Sequence, residues 1–260
     1  MTPAQLSDAV LDTVRSVVGS GELSAPVPER AGLRRPPHGT AHWATGIALA
    51  LAGPAGRPAR EIAGLLRQRL AGTPGVRAVE VAGPGFLNIT LGEAGAAEVL
   101  REVLSEPAPA PLPEDPARDA DLWAAAAGGD RPALLVQRED NPLFRVRHAH
   151  AHVRRLARGA ASLGIAAGPA GGRWHPAELR VVPLLAERQR FAAAGAGKLA
   201  RHLVAVADTW SEAATAVPVL PVGDEKPGAV HRSRLALALA AGRVLAGGLH
   251  QLGISAPEHL

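Results

Sequence analysis

Residues 141–160 read NPLFRVRHAHAHVRRLARGA, and this stretch decides how the second half of the chain folds. Wrapped at about 100° per residue, it sorts into an apolar stripe of Val146, Ala149, Val153, Leu156, Ala157 and Ala160. Arg145, His148, His152 and Arg155 flank the stripe on one side, with Phe144 close to His148. Arg147, His150, Arg154 and Arg158 flank it on the other. A helix with a buried seam between two cationic edges can rest on a bundle and still offer charge to a polyanion. From Asn141 to Ala177 there is no Asp or Glu, while Arg173 and His175 add to the basic set. A binding surface and a plain solvated basic face both satisfy this pattern. If phosphates bind here, counterion release makes the binding strongly salt-dependent. The alternation His148, His150, His152 tempts a metal reading. On a helix only His148 and His152 share a face, no carboxylate accompanies them, and the arginines repel a cation, so no metal site is expected.

Beyond this stretch apolar spacing stays helical over 177–192, 196–213 and 230–252, with Gly/Pro-rich breaks at 166–172 and 218–228. The spacing predicts an all-α bundle over 121–260. Just before it, Pro107, Pro109, Pro111, Pro113 and Pro116 lie among Ala, Glu and Asp, a composition that predicts an extended, semi-rigid linker over 105–120. Residues 1–104 read as a small α/β domain. It opens with a helix over 3–18, Thr2 as cap and Pro3 in the first turn, followed by helices over 41–52 and 58–71. Val76, Val79 and Val81 then suggest a strand, Gly83-Pro84-Gly85 a tight turn, and Phe86 to Leu91 a second strand, together a hairpin. A helix over 93–104 closes the domain. The predicted fold class is α+β.

Composition bounds the chemistry. Of 260 residues 47% are hydrophobic, 3% are aromatic and none is tyrosine, so helix-rich cores of small side chains are expected. With no cysteine, disulfides, thiolate catalysis and cysteine-bound zinc are excluded. Met1 to Val18 lacks the pattern of a secretory signal, and the apolar run Leu235 to Leu249 is broken by Arg243. Neither half reaches the ~20 residues of a membrane span, so a soluble cytoplasmic protein without membrane contact is expected. The net charge of +4 is a mild excess whose distribution matters more than its size. There is no nucleophile elbow, no P-loop and no dinucleotide fingerprint after a strand, so neither an active site nor a cofactor is expected.

Three stretches resemble the arginyl-tRNA synthetases. His38-Gly39, Trp43 to Leu49, Pro58 to Ala63 and Val79 to Asn88 are similar to that family's N-terminal additional domain. Asp121-Leu122-Trp123 and Asp140 to Ala151 resemble the start of its helical anticodon-binding domain, and Ser233 to Leu249 with Leu252 to Glu258 resembles that domain's end. In the family a catalytic domain with His-Ile-Gly-His and Lys-Met-Ser-Lys-Ser signatures lies between them. Neither signature occurs here, and only Glu93 to Pro132 is available where a domain takes ~50–250 residues. The resemblance therefore implies that aminoacylation is lost. It also implies contacts from the first domain to the tRNA elbow, with Phe86 and Asn88 as candidates, and from the second to the anticodon arm. The candidates there are Phe144, Arg145, Arg147, His148, His150, His152, Arg154, Arg155, Arg158 and Trp210.

The chain departs from the family at several of these positions. His42 and Gly46 replace an Asp and an Asn. Phe144, Arg145, Arg147 and His148 stand where tyrosines and a glutamine are usual, and Ala213 and Ala214 replace an aromatic pair. Fewer aromatic platforms and more arginine predict weaker base reading and stronger phosphate attraction. One reading is a non-catalytic tRNA-binding protein, accessory to a tRNA-using enzyme, with arginine-accepting tRNA as the candidate partner. The other is a protein-interaction module that keeps the fold and has lost RNA binding. A subunit of a split synthetase would need a separate catalytic chain.

Overall fold

In the computed structural model, residues 1–36, 41–168 and 174–260 are described; His38-Gly39, Arg173 and the glycines of 171–172 lie outside them. The chain divides into two compact units, Met1–Glu98 and Val99–Leu260. The first contains α1 (Pro3–Gly19), β1 (Leu33–Arg34), β2 (Trp43–Thr45), α2 (Ile47–Ala55), α3 (Ala59–Leu70), β3 (Val76–Ala82) and β4 (Phe86–Leu91). Thr2 caps α1 in a reciprocal pairing with Gln5, which satisfies two otherwise orphaned backbone donors. The four strands are antiparallel in the order β1-β2-β4-β3. Along β4 the buried Leu87, Ile89 and Leu91 alternate with half-buried Phe86, Asn88 and Thr90, as expected of a strand with one face on the core.

Two sequence expectations change here. Residues 41–52, read as one helix, hold β2 and then the start of α2. Trp43, Ala44 and Thr45 are all buried because β2 lies between two other strands. A short apolar run carries no period that separates buried strand from helix. The β3–β4 hairpin is thus half of a larger sheet. Its turn requires Gly85, where φ is +140° and a Cβ would come within 2.9 Å of the Ala59 Cβ.

Helix α4 (Glu93–Ser105) begins in the first unit and ends in the second. The second unit continues with α5 (Pro116–Ala127), α6 (Arg131–Leu134), α7 (Pro142–Ser162), α8 (Pro176–Ala186), α9 (Arg188–Ala192), α10 (Ala196–Ala216) and α11 (Ala229–Gln251). Helix α5 starts at Pro116, capped by Asp115, inside the stretch 105–120 predicted to be extended. The Asp115 cap and a Pro in the first turn explain the early start. What remains extended does not stand clear of the bundle. Arg188 donates to the Glu106 carboxylate at 2.5–3.1 Å and to Glu102 at 2.9 Å, and Arg243 donates to the Glu106 carbonyl. The Arg188 bonds hold the Glu106 carboxyl below its ordinary pKa. Ala108 to Leu112 then border a cavity of about 330 Å³ over α7 and α11.

Helix α11 packs on α7 and α10, burying Leu235, Leu237, Val244 and Leu245. Small residues let it approach closely: a Cβ at Gly242 would meet the Val153 Cγ1 at 2.7 Å, and one at Gly248 the Leu203 Cδ2 at 2.4 Å. Among the described residues no helix is long and apolar enough to cross a membrane.

These contacts predict opposite outcomes for two substitutions in one helix. Gly242→Ala places a methyl against Val153, a stiff β-branched side chain 1% exposed, and should destabilise by roughly 1–3 kcal/mol. Gly247→Ala, with nothing within 4 Å of its added Cβ, should gain up to ~1 kcal/mol from helix propensity. Denaturant titration of the two variants checks this; equal shifts would contradict the packing account.

Candidate nucleic-acid interface

Helix α7 is fixed at its start by Asn141. The Asn141 Oδ1 accepts from the Leu143 and Phe144 amides, and its Nδ2 donates to the Leu134 and Val136 carbonyls, so one side chain caps α7 and ties it to α6. Val146, Ala149, Val153 and Ala160 are buried, with Leu156 and Ala157 half-buried, which is the apolar stripe read from the sequence. The two cationic edges then meet different surroundings.

The first edge borders α10. Arg145 pairs with Asp208 at 3.2 Å, both more than a third exposed, so the pair adds ~0–1 kcal/mol. Burial raises the Asp208 pKa, against the pull of Arg145. Phe144 and His148 form a tilted ring pair 5.4 Å apart, and His148 is exposed. His152 lies 6.4 Å from the Trp210 ring. Burial, then Arg155 and His148, lower its pKa, so it is held neutral near pH 7. Arg155 is exposed and forms no ion pair among the described residues. The edge thus presents two adjoining rings and an uncommitted guanidinium.

The second edge is covered by residues 255–259. Arg147, 11% exposed, donates to the Ser255 Oγ at 3.4 Å and lies 3.9 Å from Asp119. The buried His150 donates from Nδ1 to the Pro257 carbonyl at 2.9 Å, and burial lowers its pKa despite that bond. Arg154 pairs with Glu258 at 2.5 Å, and Arg158 lies 3.9 Å from the same carboxylate. Asp119 is fully buried and accepts from Ser255 at 2.5 Å and Arg118 at 3.1 Å. Acidic partners missing from 141–177 therefore arrive from distant parts of the chain. Three of the sequence candidates are enclosed. Trp210 is 1% exposed in the core and has no face to stack on, His150 is 6% exposed, and Arg147 is spent on the Asp119 cluster.

In the first unit, Phe86 and Asn88 share the sheet face opposite Leu87 and Ile89. Arg34 lies across the Phe86 ring, 4.5 Å from its centroid, so that ring is already stacked with a cation. Asn88 is level with Glu80 on one side and with Ala44 and Arg34 on the other. Gly46 leaves room for Phe86, whose Cε1 would lie 3.1 Å from an added Cβ. His42 is 4% exposed; its Nδ1 accepts the Leu91 amide at 2.9 Å and its own amide donates to Ile89. It completes the sheet rather than facing a ligand, a role the sequence did not reveal. Among the described residues no cluster of His, Asp and Glu could hold a metal ion.

With this geometry in view, residues 4–91 match the arginyl tRNA synthetase N terminal domain family and residues 146–260 the DALR anticodon binding domain family. An arginine–tRNA ligase of Kineococcus radiotolerans is 49% identical over 110 residues, which cover 40% of this chain and 20% of that protein. Its counterpart in Renibacterium salmoninarum is 44% identical over 110 residues, with the same coverage. The match thus spans about a fifth of the length of these curated relatives. Among solved structures, an arginyl-tRNA synthetase of Thermus thermophilus aligns with a TM-score of 0.46 and 23% identity, covering 65% of this chain and 31% of that one.

The buried His42 generates a pH prediction. Burial, then Arg77, lower its pKa from 6.5 to about 4. Between those values the unfolded chain binds a proton that the folded unit does not. Stability contributed by neutral His42 is complete above pH 6.5 and is lost as the pH falls toward 4, by about 3 kcal/mol in all. Asn at this position keeps an acceptor for the Leu91 amide without titrating. Denaturation of His42→Asn between pH 4 and 7 should show a flattened acid limb; an unchanged one would remove His42 from the acid response.

Proposed function

We propose that this is a non-catalytic tRNA-binding protein: residues 4–91 match an arginyl-tRNA synthetase N-terminal domain and 146–260 a DALR anticodon-binding domain, and residues 92–145 between them are short for a catalytic domain. The carrying observation is the open edge of α7, the helix that leads into the matched anticodon-binding region: Phe144 against His148, then His152 and Arg155, which has no ion pair among the described residues. The ring pair offers a stacking platform, where a base contributes ~1–3 kcal/mol, and Arg155 offers phosphate contact. Arg145 reinforces it through a weak pair that a phosphate can outcompete. The tRNA proposed is an arginine-accepting one, delivered to an enzyme that uses tRNA. The setting is the cytoplasm.

One observation favours a protein-interaction role instead. Trp210 is in the core, and Ala213 and Ala214 offer no ring beside it, so the base-reading surface is reduced to Phe144 and His148.

Titrating an arginine-accepting tRNA, a non-cognate tRNA and a single-stranded control across a salt series separates the readings. Tightest binding to the arginine-accepting tRNA, with a steep salt slope, is expected. No binding at low salt sinks the proposal, and equal binding to all three leaves only a polyanion surface. Phe144→Ala with Arg155→Glu should weaken tRNA binding at least roughly tenfold, the scale of one lost stack and one lost phosphate contact. Arg147 is unsuited to such a test, since its replacement leaves Asp119 buried and short of a partner.

A further inference from the structure

Residues 254–259 run along the second edge of α7 with two kinds of attachment. Ile254 and Ser255 are buried, and Ser255 is bonded to the fully buried Asp119. His150 holds the Pro257 carbonyl. Beyond that point the contacts are superficial. Glu258 is 53% exposed, and its partners Arg154 and Arg158 are 42% and 44% exposed. One half of the segment is an anchor, and the other is a surface charge held over two arginines.

A carboxylate between two guanidinium groups presents the acceptor oxygens that a phosphodiester would present to the same pair. The two arginines lie one turn apart on α7, on the edge opposite Arg155. We infer that Glu258 is a built-in counter-ion occupying a phosphate-binding position formed by Arg154 and Arg158, which an RNA backbone fills only by displacing it. The inference rests on the reading of α7 as an RNA-facing helix. Because Ser255 and Pro257 stay attached, the displaced carboxylate remains close by and competes at high effective concentration. The free protein therefore shows one open edge of α7 and one masked edge, and the masked edge opens only to a ligand that brings its own negative charge. Arg158 also lies 3.4 Å from His259, so the displaced segment gives up that contact as well.

The test is Glu258→Gln in the full chain, which removes the charge while keeping side-chain length at an exposed site; an unchanged thermal midpoint verifies folding. Binding of tRNA and of a single-stranded RNA is measured over a salt series. The variant should bind RNA roughly fivefold more tightly, the scale of an exposed ion pair. Its slope of log affinity against log salt should steepen by up to about one, because binding to the wild type frees the Glu258 carboxylate to take up a cation and binding to the variant does not. Adding Arg154→Gln and Arg158→Gln to the variant should return affinity and slope to wild-type values or below. If wild type binds tRNA and Glu258→Gln matches it in affinity and slope, the counter-ion role is overturned and the tRNA reading stands. If the variant gains on both RNAs while neither form prefers tRNA, the counter-ion role stands and tRNA recognition falls. Binding of no RNA by either form at low salt overturns both.

Discussion

The helical unit depends on one carboxylate that has no contact with water. Asp119, on α5, accepts from Ser255 and Arg118, with the Arg147 guanidinium 3.9 Å away. A buried charge is expensive unless it is paired and hydrogen-bonded, so α5, α7 and the segment after α11 must assemble around it together. This constraint decides much of the surface chemistry. It withdraws Arg147 from any ligand, seats residues 255–259 along one side of α7, and brings Glu258 over Arg154 and Arg158. The opposite side of the same helix keeps its exposed groups.

A helix that reads as uniformly basic is therefore two surfaces. The edge toward α10 holds a ring pair, a weak ion pair and an arginine with no ion pair among the described residues, an arrangement suited to a stacked base with its phosphate. The edge toward Glu258 is a charge pattern already answered within the chain. In the first unit Arg34 covers the Phe86 ring in a similar way.

The sequence disclosed what depends on local spacing. Helix α7, its apolar stripe and its two edges follow from a 3.6-residue period, and the Phe86–Leu91 strand from a two-residue one. Strands of two and three residues have no period to detect, so β1 went unread and β2 was hidden inside a run that also fits a helix. Helix α5 was obscured by prolines, although Asp115 and Pro116 form an ordinary helix start. The ion pairs were invisible for a different reason. Asp208 is 63 residues from Arg145 and Glu258 is 104 from Arg154, so the absence of acids within 141–177 said nothing about charges in space. Trp210 and His150 were sound candidates by residue type, and only packing shows that they are enclosed. His42 could be recognised as a departure from the family pattern, but not as the acceptor of the Leu91 amide.

RNA held on the α10-facing edge of α7, as proposed, would lie within covalent reach of its rings. Photo-crosslinking of a bound tRNA to the intact protein, followed by peptide mass spectrometry, tests it most directly. Adducts are expected within residues 142–158, at Phe144, His148 or His152. A bound tRNA that leaves residues 142–158 unmodified would contradict it.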